Sequence, residues 1–474
     1  MFTWTLAYYI SEWIIRLIMP VFVIRKRKPS SAMAWLLVIF FQPWVGLALY
    51  GLIGRIRLPW RRKLQYAKLI NTLTLTNGRF HSNRDIVQPS IDPSFTKASR
   101  LAYNLGKLPI LGGNYVEMLD ATRHVLDRLI ADINRAEYHI HLLFYIFADD
   151  ETGRQVAEAL SRAVQRGVKC RVLADSVGSR SMFKTLGSKM RKAGIELCEV
   201  LPVGLFRRQI ARIDLRNHRK LAVIDGQIAY TGSQNLINAC YGRKDMLWHD
   251  LMVRITGPAV HELQIVFLID WDFVTNNILD SDDIFPELKT EGNIAVQSLP
   301  SGPNYPTENY QKMIIAAIHS AEHRVTITTP YFVPTESLTH ALKTAALCGV
   351  EVELIVPKKT NRPLVGAASA AYYEELLEAG VKLYLFNDGL LHTKAMSVDD
   401  TVAFVGSSNF DIRSFSLNFE ISLLLYGSLA TKALRAKQDR YIQNSTRLNA
   451  EEWDQRPLAT KIFQNIAKLL SPLL

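Results

Sequence analysis

The sequence predicts an α/β protein made of two similar tandem halves, each an α/β/α sandwich, sharing one site and preceded by an apolar N-terminal hairpin. Three observations carry that prediction. The pattern His-x-Lys-x4-Asp occurs twice, as H-R-K-L-A-V-I-D at 218–225 and H-T-K-A-M-S-V-D at 392–399. Each copy runs on in register to a second signature, G-S-Q-N at 232–235 and G-S-S-N at 406–409, with every shared position offset by the same 174 (392 − 218). The likeness also extends beyond these motifs, which marks a duplicated supersecondary unit rather than a chance match. Finally, residues 32–54 carry no charge at all.

The elements follow in chain order. Residues 2–24 are apolar except for Glu12 and Arg16, which stand four apart and can pair along a helix. Residues 32–54 (A-M-A-W-L-L-V-I-F-F-Q-P-W-V-G-L-A-L-Y-G-L-I-G) would reach about 34 Å as a helix, enough for a hydrocarbon core of ~30 Å. Spans at about 4–24 and 32–54 therefore define a membrane hairpin over residues 1–63. A cleaved signal peptide is not indicated, because the basic cluster follows the apolar run. A polar connector, 64–110 with T-N-G-R-F-H-S-N-R at 76–84, leads to a first half at 111–285 and a second at 286–445.

Within the halves, A-E-Y-H-I-H-L-L-F-Y-I-F from 136 matches A-E-H-R-V-T-I-T-T-P-Y-F from 321, a helix end followed by a buried strand. R-G-V-K-C-R-V-L at 166–173 matches C-G-V-E-V-E-L-I at 348–355, and A-G-I-E-L at 193–197 matches A-G-V-K-L at 379–383. Each half thus repeats strand, helix, strand, helix, strand, then the motif. Asp225-Gly226 and Asp399-Asp400 sit between apolar alternating runs and read as hairpin turns. The tail, 446–474, places Ile462, Phe463, Ile466, Leu469 and Leu470 at helical spacing. L-P-V-G-L-F-R-R-Q-I-A-R-I-D-L-R at 201–216 mixes apolar residues with Arg in the same interfacial manner.

Charge is distributed unevenly. Residues 1–63 hold ten Lys/Arg against the single acid Glu12, most of the chain's formal +12. A juxtamembrane basic excess attracts anionic lipid, whereas a nucleic-acid groove would spread its charge over the globular part. The four cysteines lack metal-ligand spacing and indicate no disulfide framework, and Cys170 reads as core.

The motif residues suit phosphate chemistry. A phosphodiester repels nucleophiles until its charge is neutralised and its leaving oxygen is protonated. Lys220, Lys394, Asn235 and Asn409, with Ser233 and Ser407 from the same signature, can hold the phosphate oxygens. One imidazole, His218 or His392, can attack phosphorus while the other trades a proton, since an ordinary pKa near ~6.5 serves both directions. No metal or cofactor is called for. Asp225 and Asp399 complete the motif and orient the loop and its lysine.

The two motifs resemble those of the phospholipase D superfamily, in which two copies meet at one active site across a pseudo-twofold axis. With the apolar hairpin, R-K-P-S-S-A-M-A-W-L-L at 27–37 and W-H-D-L-M-V-R-I-T-G-P at 248–258, the chain resembles its bacterial cardiolipin synthase branch along almost its whole length. The resemblance implies phosphatidyl transfer between two phosphatidylglycerols, giving cardiolipin and glycerol, with His218 as nucleophile and His392 as general acid, then base. It also implies a carboxylate that fixes each histidine's tautomer, assigned here as Asp250 for His218 and Glu420 for His392. The partners are then phosphatidylglycerol, cardiolipin and anionic membrane lipid, with homo-oligomers allowed and no nucleic acid. The expected location is the bacterial cytoplasmic membrane, multi-pass. Arg25 to Lys28 supply four basic residues and 55–63 five, so the positive-inside count favours a cytoplasmic catalytic region by one charge.

Overall fold

The computed structural model describes residues 2–25, 29–54, 85–89, 92–203, 214–242, 246–279 and 282–469. The basic stretch 55–63, the polar connector 76–84 and most of the 201–216 stretch lie outside the described residues. The chain divides into two units, one of residues 1–58 with 203–215 and one of the remainder.

In the first unit, helix α1 (Phe2–Ile24) has the length and composition of a membrane span. Arg16 pairs with Glu12 at 3.2 Å, so neither charge is left alone on this apolar helix. The expected second span is corrected. Residues 32–54 do not form one helix but two, α2 (Pro29–Phe41) and α3 (Pro43–Ile53), parted at Gln42. The cause is Pro43, which has no N–H to give the preceding turn and pushes the residue before it out of the helical region. Gln42 accordingly sits at φ −138°, ψ 81°. The chain then folds back sharply: a Cβ on Gly46 would lie 2.8 Å from the Ile39 Cα, so glycine is needed there. Trp35 of α2 meets Tyr50 of α3 edge-on at 5.2 Å. The Arg16 guanidinium donates to the Phe40 carbonyl at the break (3.0 Å). Helices of 13 and 11 residues reach about 20 and 17 Å, and neither crosses a core of ~30 Å.

The second unit is organised by one continuous sheet. Its strands are β1 (Leu111–Leu119), β2 (His139–Phe144), β3 (Lys169–Asp175), β4 (Glu196–Val200), β5 (Lys220–Ile224), β6 (Ile228–Gly232) and β7 (Met252–Thr256) from the first half. The second half supplies β8 (Ile294–Ser301), β9 (Arg324–Thr328), β10 (Glu351–Pro357), β11 (Lys382–Phe386), β12 (Ala395–Val398), β13 (Val402–Gly406) and β14 (Asn418–Tyr426), with β15 (Ser445–Arg447) at the far edge. The order is β4-β3-β2-β5-β6-β7-β1 followed by β8-β14-β13-β12-β9-β10-β11-β15. Apart from the added edge strand, the second run is the first read backwards. That is a twofold axis expressed as strand order, and the repeated sequence blocks fall on its equivalent strands. The inner strands are buried almost throughout because helices cover both faces.

The halves join where β1 pairs antiparallel with β8, in an irregular register (Leu111↔Val296, Asn114↔Ile294). Buried Asn114 repairs the irregularity. Its Nδ2 donates to the Leu111 and Ile294 carbonyls (2.7 and 3.1 Å), and its Oδ1 accepts from the Ala259 N–H (2.8 Å).

Asp225 and Asp399 sit in hairpin turns at positive φ (51° and 48°), as the turn reading expected. Their expected role of orienting the motif lysine is corrected. The Asp225 carboxylate accepts three backbone N–H groups, from Glu137, Tyr138 and His139, each at 2.8 Å. Asp399 does the same for Glu322, His323 and Arg324 (2.9, 2.9 and 2.6 Å). Each aspartate pins its hairpin to the start of the neighbouring strand, five residues and about 16 Å from its motif lysine. Asp225→Ala should therefore lower the thermal midpoint, at a cost of about 1–3 kcal/mol for stranded backbone donors, while kcat of the folded protein stays within about twofold. Parallel melting curves and initial rates check this; a collapse of kcat at unchanged stability would contradict it.

Candidate active site

Each motif histidine is delivered by a short strand annealed to the opposite half. Arg216–Asn217 runs parallel to Asn418–Phe419, so the His218 N–H donates to the Phe419 carbonyl (2.9 Å). Leu390–Leu391 runs parallel to Trp248–His249, so the His392 N–H donates to the His249 carbonyl (2.8 Å). Asp175, at the end of β3, anchors the first lead-in by accepting the Asn217 N–H (3.0 Å) and the Arg216 guanidinium (3.2 Å).

This annealing reverses the expected carboxylate pairing. His218 Nδ1 lies 3.1 Å from the Glu420 carboxylate, and His392 Nδ1 lies 2.7 Å from Asp250 Oδ1. The assignment of Asp250 to His218 and Glu420 to His392 is therefore corrected: each half's carboxylate serves the other half's histidine. His218 Nδ1 faces only acceptors, the carboxylate and the Ser407 carbonyl (3.2 Å), so Nδ1 carries the proton and Nε2 keeps its lone pair.

Ser233 and Ser407 are corrected as well. Their hydroxyls donate to Asp250 Oδ1 (2.6 Å) and Glu420 Oε2 (2.5 Å), which leaves them no proton for a phosphate. Ser414 and Asn418 add donors to Glu420 Oε1 (3.1 and 3.2 Å). Burial pushes both carboxylic acids towards neutrality, but the facing histidines and these donors win. Asp250 ends at about 2 and Glu420 below the usual range, so both are ionised.

The lysines are placed alike. Lys220 Nζ donates to the His218 carbonyl and Lys394 Nζ to the His392 carbonyl, each at 2.6 Å. Burial pulls Lys220 down to about 8 against the attraction of Glu420 and Asp250. Burial likewise pulls Lys394 to about 7, with Lys220 adding repulsion against Asp250. Each lysine thus feels both carboxylates, so the two motifs share one electrostatic site. Burial holds His218 below its ordinary value and His392 at about 3, the latter helped by Lys394.

Asn235 and Asn409 are nearly buried beside the motifs, Asn235 Oδ1 accepting the Ile146 N–H (3.1 Å). Tyr145 packs on the His218 ring (4.8 Å), and Trp248 meets His392 edge-on (4.7 Å) with Tyr241 stacked behind it (4.0 Å). Sequence reasoning missed these aromatics and the free motif position. Arg219 is wholly buried, bonded to Asp270 (2.6 Å) and, through Nε, to the Glu420 carbonyl (3.1 Å). Its counterpart Thr393 donates to the His249 carbonyl (3.3 Å). Both residues grip the partner half's carboxylate segment. Asp250 and Glu420 occupy equivalent places after the two motifs, and a twofold axis brings either within reach of either histidine, so the sequence alone does not choose between them.

The crossed pairing predicts that a hydrogen-bonded His392 Nδ1–H resonance disappears in Asp250→Asn and persists in Glu420→Gln. Histidine-selective nitrogen NMR reads this, and the opposite response would restore pairing within each half.

Comparison with known proteins agrees with this geometry. The family described as cardiolipin synthase, phospholipase D-like domain, matches residues 129–271 and 314–442, and the phospholipase D-nuclease N-terminal family matches 14–55. The chain is 39% identical over 466 residues to cardiolipin synthase A of Proteus mirabilis, covering 95% of each chain. It is 38% identical over 467 residues to cardiolipin synthase A of Klebsiella pneumoniae, covering 95% of this chain and 94% of the relative. Phosphatidylserine synthase of Haemophilus influenzae shares the fold, with a TM-score of 0.60 at 18% identity over 80% of this chain and all of that one. The chain belongs to the cardiolipin synthase family of the phospholipase D superfamily.

Proposed function

We propose that this protein transfers a phosphatidyl group from one phosphatidylglycerol to another, releasing glycerol and forming cardiolipin. The observation that carries the reading is the convergence of two carboxylate-held histidines and two buried lysines on one site. Lys220 and Lys394, with the amides of Asn235 and Asn409, hold the phosphate oxygens and stabilise the charge of the crowded transition state. His218, with Nδ1–H held by Glu420, attacks phosphorus through Nε2. The P–O bond to glycerol breaks as His392 protonates the leaving oxygen. His392 then takes the proton of the second phosphatidylglycerol's hydroxyl, which attacks phosphorus and frees His218. Low resting values keep both imidazoles neutral; the arriving phosphate anion favours protonation of His392 when the acid is needed.

The donor set also argues for metal-free chemistry. Magnesium would need carboxylate oxygens, and Asp250 Oδ1 and both oxygens of Glu420 already accept hydrogen bonds from neighbouring side chains. Purified protein with phosphatidylglycerol and EDTA should yield cardiolipin and glycerol in equal amounts. Phosphatidic acid as the main product would make the enzyme a hydrolase, and strict dependence on Mg2+ would remove the metal-free site. In the same assay His218→Ala should form no lipid adduct. His392→Asn should accumulate one on His218 while turnover falls by about 10²–10⁴. An adduct on His392 would exchange the two roles.

The pH dependence follows from the lysines. Their cationic forms are lost as pH rises through about 7 (Lys394) and about 8 (Lys220). The alkaline limb of kcat/KM should thus fall between pH 7 and 8 rather than near the ordinary lysine range of ~10.4. A flat profile to pH 9 would contradict the proposed lysine role.

On topology, α1 is the one helix among the described residues long and apolar enough to span, and we take α2 and α3 to enter and leave the bilayer on the same side. Both basic clusters, 25–28 and 55–63, then share that side, so nine basic residues favour the cytoplasm where two full spans left a margin of one. The halves, with boundaries proposed at 111–285 and 286–445, face the cytoplasm accordingly. A cysteine introduced at Ser445, in a background lacking the native four, should resist an impermeant maleimide in intact cells; labelling would place the halves outside.

A further inference from the structure

The C-terminal helix (Leu458–Leu469) is mounted inside out. Its apolar residues face solvent: Leu458, Ile462, Phe463, Ile466 and Leu469 are 72%, 50%, 55%, 53% and 79% exposed, while Gln464 and Ala467 are buried. A soluble domain normally buries the apolar stripe and wets the polar one. Polar contacts hold this helix the other way round. Lys468 reaches Glu375 (3.1 Å) and lies over the Tyr372 ring (4.1 Å). Arg456 bridges Gln464 (2.5 Å) and Glu374 (2.8 Å), and Lys461 pairs with Asp454. Ala467 closes against the core that contains Val365 and Ala368 of the helix Pro363–Ala370.

That neighbour begins near the catalytic site. Arg362, immediately before the helix Pro363–Ala370, lies over the Tyr331 ring (5.7 Å) and acts electrostatically on Tyr145, the residue packed on His218. The apolar face and the site are thus linked through one short helix.

We infer that the outward face of the C-terminal helix is a membrane-docking surface that inserts into the headgroup boundary of the bilayer and turns the catalytic site towards its lipid substrate. Two features favour this occupant over a second copy of the chain. Among the described residues the face offers five exposed apolar side chains, against roughly 20–30 residues a side in a stable protein interface, whereas an interfacial helix gains with each side chain inserted. The same chain carries α1, which has the composition of a span and keeps the unit near a bilayer. The inference rests on the proposed lipid substrate only for the role of turning the site.

The test uses the full-length protein in phosphatidylethanolamine–phosphatidylglycerol nanodiscs. An environment-sensitive dye is attached at Phe463→Cys, or as a control at Glu452→Cys on the exposed 450–454 helix, in a background lacking the native cysteines. Emission at 463 should shift to the blue, and lipid-borne nitroxide should quench it several-fold more than at 452. Equal quenching at both positions overturns the inference. So does self-quenching that tracks protein density and ignores the nitroxide, which would identify a second copy. Because dye depth is read without turnover, this outcome is independent of the proposed reaction. A second measurement needs no label: Phe463→Ser with Ile466→Ser should raise KM for bilayer phosphatidylglycerol about tenfold while leaving kcat/KM for a short-chain, water-soluble phosphatidylglycerol unchanged. Unchanged KM in the bilayer contradicts the inference.

Discussion

Two hydrogen bonds that cross between the halves, His218 to Glu420 and His392 to Asp250, are the constraint from which the rest of the site follows. Both carboxylates are buried, and an ionised carboxylate taken out of water is costly unless it is paired and fully hydrogen-bonded. Each motif serine therefore gives its hydroxyl to a carboxylate, and Ser414 and Asn418 complete the set around Glu420. The pairs also require that neither half work alone. The continuous sheet, with Asn114 repairing its irregular seam, holds the halves at the spacing these bonds need.

Duplication supplied two equivalent sets of groups, yet the reaction asks the two histidines for different jobs. The surroundings have diverged accordingly. His218 faces a glutamate held by several donors and a buried Arg219–Asp270 ion pair behind it. His392 faces a shorter aspartate, lies against Trp248 and is pushed lower by burial and Lys394. Arg219 and Thr393 occupy the same motif position and grip neighbouring carbonyls of the opposite half's segment, one the Glu420 carbonyl as a charge and the other the His249 carbonyl, one residue before Asp250, as a hydroxyl. Such differences bias one imidazole towards nucleophile and the other towards proton carrier.

Much of this was legible in the sequence, because the repeat fixes equivalences. The matched blocks at 136, 166 and 193 with their partners at 321, 348 and 379 fall on equivalent strands, and the Asp-Gly and Asp-Asp turns form where the alternating runs break. The crossed pairing was not legible, because equivalence says which groups correspond and not which half each one faces. Two-residue strands made that choice, and nothing local marks them as partners of a distant segment. The serines were misread for a related reason: a hydroxyl beside a phosphate motif suggests phosphate, but the nearer buried carboxylate claims it first. At the N-terminus hydropathy outweighed punctuation. The Gln42-Pro43 step was visible inside the apolar run, and it is the step that turns one apparent span into two short helices.

Two half-sites from different halves should form a single phosphate site with crossed carboxylates, and an experimental structure of the enzyme with vanadate or tungstate would show it. One anion is expected between His218 Nε2 and His392 Nε2, contacted by Lys220 and Lys394, with Glu420 on His218 and Asp250 on His392. Two separate anions, or an anion on one histidine whose carboxylate comes from its own half, would contradict it.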